Sequence, residues 1–429
     1  MPSSLFHDKK YRILWVSRTL SMFGAQISLL ALPLIAVTTL HAGPTGMSLL
    51  RAAELLPYLI FSLIAGAVSD RLENDRVVVL TDFCRTALLL AIPACAWLGA
   101  LNIWSVAVIA FGLATLSVFS EIAIPGLITH VVDKPRLLEA NSKLASSASV
   151  AEAAGPAIGG FLISTLTGAF ALIPCAIAFL LSALSLKRLA THEEAQPKAV
   201  HDAGEILDGI FEGMKAVRGN PVLMSLALRL TVWNFSIATV EMIFLMYASR
   251  TLNFSPLAIG ILFSAMGGGI ILGSMLVVRL TRTLGAGRTI GATMFLGALT
   301  GLTICALPAT TPGLLYVMCF LFFAAGFAYI LYQVNHVSMI QETAPDALLG
   351  RVSAAIKCCA MTMAMIGVLM GGWIAERVGL RESLIGFSAF ALGCAVLGLI
   401  DSPLTAAAPK MGQGKGNAIE EGMVDHGTD

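Results

Sequence analysis

Long apolar runs, each long enough to cross a bilayer as a helix, alternate with short polar breaks along nearly the whole chain. Windows of about 20 mostly apolar residues predict twelve spanning helices, at residues 13–40, 46–68, 77–99, 103–130, 138–165, 168–188, 222–249, 257–280, 288–309, 312–340, 348–374 and 381–402. A polar stretch from Thr191 to Asn220 divides them six and six. The predicted organisation is a six-helix bundle over 1–190, a linker over 191–220, a second six-helix bundle over 221–402, and a tail over 403–429. The tail is polar, rich in Gly, Lys and Glu, and expected to be disordered. In the linker, apolar residues from Glu205 to Val217 recur at helical spacing, which predicts an amphipathic helix on the membrane surface. A plain tether is the alternative.

The two halves echo each other. Gly155-Pro156-Ala157-Ile158-Gly159-Gly160 and Gly367-Val368-Leu369-Met370-Gly371-Gly372 share a GxxxGG pattern 212 positions apart, on predicted spans five and eleven. Similar polar turns precede them, at Leu137–Ser142 and Leu348–Ser353. Internal duplication in an apolar chain is a common way of building transporters. Small residues let helices approach closely, so both motifs are expected on the surface where the halves move against each other.

Composition supports a membrane protein. Hydrophobic residues make up 57% of the chain and charged residues 12%, where a soluble domain carries about 25% charged; mean hydropathy is +0.84. The balance of 27 basic to 26 acidic residues argues against a nucleic-acid partner. The eight cysteines all fall in apolar spans without metal-ligand spacing and read as packing residues. Lys and Arg crowd the loops on the side of the two termini, whereas the opposite loops carry Arg250, Arg377 and Arg381. That bias predicts both termini in the cytoplasm. The start, Met1 to Arg12, is polar and basic, and the run after it is too long for a signal peptide.

Between spans two and three stands Gly66-Ala67-Val68-Ser69-Asp70-Arg71, followed by Asp75-Arg76. This resembles the GxxxDR signature of the major facilitator superfamily, although Asp75-Arg76 stands where two basic residues are usual. Gly66, Asp70, Arg71 and Arg76 would then form a gate latch at the cytoplasmic ends of the helices. The Gly-Pro pair of span five resembles the motif of antiporter members, with Pro156 bending the helix. Several segments look like the macrolide-efflux and enterobactin-exporter branch: Ser69-Asp70-Arg71, Thr81-Asp82-Phe83-Cys84-Arg85, Leu138-Glu139-Ala140-Asn141-Ser142 and Pro345–Val352, which holds Gly350 and Arg351. The resemblance implies an all-α membrane protein of two pseudo-symmetric six-helix bundles. It also implies a bacterial-type inner (plasma) membrane location and a monomer.

A charge near mid-bilayer costs at least about 2.5–3.5 kcal/mol, so ionisable residues inside spans are functional candidates. Asp82 and Arg85 are three apart and expected to pair as gate or scaffold, with substrate contact the alternative; Arg51 and Glu54 share the spacing, and Glu54 is either a self-paired scaffold or a titrating group. Arg18 is expected to snorkel to the near membrane surface. Arg229 and Lys357 are expected to pair structurally, and His336, beside Asn335, to be a satisfied polar residue. Glu121 falls near mid-span four, and Glu241 in span seven shares a helical face with Asn234. In the major facilitator fold spans one, four, seven and ten line the cavity, so the resemblance places Glu121 and Glu241 there with Gln26, Tyr329 and Gln333. A carboxylate in such a cavity suits a proton carrier. Glu152, beside the Gly-Pro pair, is expected to face the interface between the halves.

The chain lacks a Gly-rich loop ending in Lys-Ser or Lys-Thr, an HExxH and a nucleophile elbow, so neither direct ATP drive nor an enzyme is expected. The expectation is a secondary transporter with no cofactor, driven by the proton gradient and exporting a small amphipathic drug or siderophore-like metabolite. Glu121, Glu241, Glu54, Gln26, Tyr329 and Gln333 are its candidate binding residues. Gate candidates are the four signature residues with Asp82, Arg85, Gly155, Pro156, Gly159, Gly350, Arg351, Gly367 and Gly371. An importer, or a membrane sensor without flux, remains the alternative.

Overall fold

A computed structural model describes residues 5–69, 74–166, 168–188 and 203–400; for 62–69, 203–208 and 399–400 it describes the backbone alone. Capping residues set where the helices begin. Asp8 accepts a hydrogen bond from the Lys10 amide at 2.8 Å and opens α1 (Lys9–Thr38), satisfying a donor the helix end leaves free. Further helices are α2 (Pro44–Ser69), α3 (Asn74–Trp97), α4 (Ile103–Val131), α5 (Leu137–Thr165) and α6 (Ile173–Lys187). The linker helix α7 (Ala203–Gly219) precedes α8 (Pro221–Arg250) and α9 (Pro256–Leu284). The remainder are α10 (Ala286–Ala306), α11 (Leu314–Thr343), α12 (Leu349–Val378) and α13 (Leu380–Ile400). Asn220 and Ser255 cap α8 and α9, each with proline at the first helical position. At Gly285 (φ 82°) and Gly379 (φ 111°) the chain turns between consecutive helices within one residue, a conformation that favours glycine.

Each predicted span has become one helix, and the linker helix is present. By length and composition alone, ten of the described segments are able to cross a membrane. The other two spans are α2 and α5, of 26 and 29 residues. α5 is polar in its first half, with Glu139, Asn141, Lys143 and four serines before Val150. Its repeat partner α12 and that of α2, which is α9, are both among the ten.

Packing repeats between the halves. In the first, α1 packs on α5 and α6, α2 on α4, and α3 on α4 and α6. In the second, α8 packs on α12 and α13, α9 on α11, and α10 on α11 and α13. The contacts between halves repeat too: α5 meets α9 as α12 meets α2. This is a pseudo-two-fold all-α membrane fold of twelve spans. We call the end where α1, α3 and α5 begin the basic face, since Lys134, Arg136, Lys187, Arg188, Arg282 and Arg288 cluster there.

The halves are joined at the opposite, far face. The largest apolar cluster crosses both halves, from Leu34, Ile92 and Cys175 to Met246, Leu262 and Leu384, all toward that face. Toward the basic face the clusters separate, one around Leu14, Val78 and Leu127 and another around Leu226, Met294 and Ile356. Polar contacts follow the same division. Glu376 on α12 accepts from the Thr45 amide (3.2 Å) and hydroxyl (3.3 Å) at the start of α2, and Arg250 donates to the Ala42 carbonyl at 2.7 Å. A carboxylate from one half thus caps a helix of the other.

The paired glycine motifs divide between two duties. Gly155 and Gly159 face α1 at Gln26 and Ile27, and Gly367 and Gly371 face α8 at Phe235 and Thr239, all within one half. The third glycine of each motif crosses between halves: Gly160 abuts the Pro256 carbonyl on α9, and Gly372 abuts Pro44 and Ser48 on α2. The expectation that the whole motif marks the moving surface is therefore corrected for Gly155, Gly159, Gly367 and Gly371; in the first motif Pro156 and Ala157 also meet α9, at Gly260 and Ser264. The helix surface has several faces, and consecutive small residues serve different ones.

Candidate functional site

A cavity of about 460 Å³ lies between the halves, from mid-depth toward the far face. Helical spacing aims one stripe of each wall into it. α1 presents Gln26, Leu30 and Pro33; α2 presents Met47, Leu50, Arg51 and Glu54; α8 presents Trp233, Asn234, Ile237, Ala238 and Glu241. α5 adds Glu152 and Pro156, one turn apart, and α9 adds Phe263 and Met266. α11 and α12 close it with Tyr329, Met361 and Ala364. The wall is mostly apolar, with a few polar groups, the common make-up of a small-molecule site.

The centre of charge is Arg51. Its guanidinium donates to Glu54, three residues on in the same helix, at 2.8 Å, and reaches Glu241 on α8 at 3.5 Å. One arginine therefore holds a carboxylate from each half. The Arg51–Glu54 pair is legible from spacing; the reach to Glu241 is not, because it depends on how the halves approach.

Of the binding candidates, the structure brings together Gln26, Glu54, Glu241 and Tyr329, and also Glu152. It does not bring in Glu121 or Gln333, which corrects both placements. Glu121 stands exposed on α4, accepting from the Tyr58 hydroxyl at 3.1 Å. Tyr58 lies one turn from Glu54 toward the basic face, and α4 supplies no residue to the cavity wall. Gln333 lies one turn past Tyr329 in the same direction, half-buried. In both cases the side chain stands about one turn from the cavity wall, toward the basic face. Trp233, also on the wall, carries no sequence signal beyond being an aromatic in a span.

The gate candidates scatter. Asp82 and Arg85 pair at 3.1 Å inside the first half, where Asp82 also accepts from Ser182 (2.6 Å) and Ser21 (3.3 Å). Arg18 stands beside them, 6% exposed, with Nε and Nη1 lacking hydrogen-bond partners among the described residues, so it does not snorkel. The cause is the helix face it occupies, which turns into the first half beside Asp82 and Arg85. Arg351 pairs with Glu212 of α7, and Gly213 packs on the Arg351 backbone, so this site ties the linker helix to the second half. Gly350 faces open space. Asp70 and Arg71 lie outside the described residues, as do 191–202 and the tail from 401; Gly66 is in α2, and Arg76 is exposed in the first turn of α3.

Arg229 donates to the Gly398 carbonyl and to Ser225, consistent with a bracing role. Lys357 is exposed on α12 without an ion pair among the described residues, against the expected pairing. His336 is buried, bonded to the Leu226 carbonyl at 3.1 Å and stacked on Tyr332, a satisfied core histidine. Among the described residues no group of three or more His, Cys, Asp or Glu could hold a metal.

Two equivalent six-helix halves around one intramembrane cavity, joined at one face, are the architecture of a membrane transporter. The profile of the Major Facilitator Superfamily matches residues 14–367 and 235–421, and the chain belongs to that family. It is a multi-pass membrane transporter, not an enzyme. The multidrug efflux pump Tap of Mycolicibacterium fortuitum is 28% identical over 376 residues, covering 85% of this chain and 89% of that one. Macrolide efflux protein A of Streptococcus pyogenes is 22% identical over 381 residues, covering 87% and 91%. The crystal structure of the nucleoside transporter NupG superposes with a TM-score of 0.70 at 12% identity, covering 92% of this chain and 99% of that one, a likeness of fold alone.

Proposed function

We propose that the protein exports a small amphipathic molecule in exchange for protons, as a monomer in a bacterial plasma membrane with both termini inside. The observation that carries this reading is Arg51 shared by Glu54 and Glu241 across the two halves. A proton on Glu241 removes its charge and weakens that tie, so proton binding and separation of the halves at the far face are linked. The basic face is taken as cytoplasmic on the charge bias. The conformation described here, joined at the far face, is then the one that loads substrate from inside. The efflux relatives support the outward direction, and the mostly apolar wall with three carboxylates suits an amphipathic guest.

The test is transport in proteoliposomes under an imposed pH gradient, using a panel of amphipathic drugs. Wild type is expected to move substrate against its gradient when the opposite compartment is acidic. Glu241→Gln and Glu54→Gln are each expected to keep substrate exchange while losing gradient-driven accumulation. Accumulation by both variants at the wild-type level would remove these carboxylates from the coupling.

A further inference from the structure

The cavity holds three carboxylates and one arginine. Glu54 and Glu241 are both satisfied by Arg51. Glu152 has no hydrogen-bond or ion-pair partner among the described residues and is exposed to the cavity. Its position on α5 is specific. Gly155 and Gly159 turn to α1, and Gly160 with Ala153 turns to α9, which leaves Glu152 and Pro156 on the stripe that lines the cavity. The repeat of 212 residues places Ala364 opposite Glu152, and Ala364 lines the same cavity from α12. So the pseudo-two-fold is broken at this point: one wall offers a carboxylate and the other a methyl group.

A carboxylate without a countercharge is costly at this depth, and the missing charge has room to arrive with a guest. The rings of Trp233, Phe263 and Tyr329 stand on the same wall set, and aromatic faces attract organic cations once water is displaced. The volume of about 460 Å³ falls within the range that encloses drug-sized molecules. We infer that Glu152 is the specificity-determining residue for a monocationic substrate, an organic ammonium or phosphonium centre carried on a bulky apolar body. The inference rests on the export reading above and divides its labour. Glu54 and Glu241, tied to Arg51, answer to protons, whereas Glu152 answers to the charge of the substrate.

Binding separates this from transport. Purified protein in nanodiscs at pH 8 is titrated calorimetrically with tetraphenylphosphonium and with the neutral triphenylphosphine oxide. Glu152→Gln is expected to lower affinity for the cation at least about tenfold, through loss of the charge–charge attraction in a partly desolvated site, while the neutral probe binds as it does to wild type. Glu152→Asp, which keeps the charge, is expected to recover most of the cation affinity. Equal loss of both probes would make Glu152 a structural brace and overturn the inference, as would unchanged cation affinity or a wild type that does not bind tetraphenylphosphonium. Should the cation bind through Glu152 while no proton-driven flux is found in proteoliposomes, the export reading fails and the recognition role stands.

Discussion

Asp82→Asn is expected to give a protein that inserts but unfolds far below the wild-type temperature. Asp82 is fully buried and is the carboxylate shared by Arg85, Ser21 and Ser182, three contacts from three helices. Arg85 and Arg18 are themselves buried, 5% and 6% exposed. Removing the carboxylate charge leaves two guanidinium groups in an apolar bundle, with the replacement amide offering a dipole at most. Breaking a buried pair this way costs about 3–5 kcal/mol, on the order of 10 °C of thermal midpoint by the conversion for large domains. Thermal unfolding of the detergent-solubilised protein, followed by size-exclusion fluorescence, measures it. The double variant Asp82→Asn/Arg85→Gln is expected to regain part of the loss, since one orphaned charge is removed with its partner. Equal or greater loss in the double variant would show that the pair is not what holds α1, α3 and α6 together.

The helices and the two-fold repeat are legible in the sequence because bilayer spans announce themselves by length and hydropathy. The offset of 212 carries further than the glycine motifs. It relates Pro44 to Pro256 at the starts of α2 and α9, and Gly160 to Gly372, so both inter-half contacts are already written in one shift of the sequence. Depth is harder to read. The apolar run sets Arg18 near the surface, but its face of α1 turns into the bundle beside Asp82 and Arg85, and burial there depends on packing that the run does not report. For Glu121 and Gln333 the expectation of a cavity position rests on which helices line it. Membership of a lining helix does not settle whether a given turn lies on the wall of the enclosed cavity between the halves. The tie between Arg51 and Glu241 depends on the approach of two helices distant in sequence, which no local pattern reports.

Gly160→Val is expected to slow transport by about one to two orders of magnitude while leaving the fold intact, and Gly372→Val to do the same by the same cause. The Cβ of any side chain at 160 would press into the carbonyl of Pro256, and at 372 it would stand 2.8 Å from the carbonyl of Pro44 and 2.5 Å from the Ser48 side chain. Both obstacles include backbone or a short side chain at a helix start, with little freedom to move aside. Each contact lies between halves rather than within one, so the strain falls on the closed far face and not on either bundle. Overpacking costs about 1–3 kcal/mol, which shifts the balance of conformations about 5–150-fold away from the one described here. Leu50, 1% exposed behind the far-face seal, reports the shift. A cysteine placed there in a background without the native cysteines is expected to resist a membrane-impermeant maleimide added at the far face in the parent. It is expected to label rapidly once valine replaces Gly160 or Gly372. A valine at Gly159, which faces α1 within the first half, is expected instead to lower the melting temperature without opening the seal. If the Gly160 and Gly372 variants stayed sealed and transported normally, these two approaches would not be the contacts on which the halves rock.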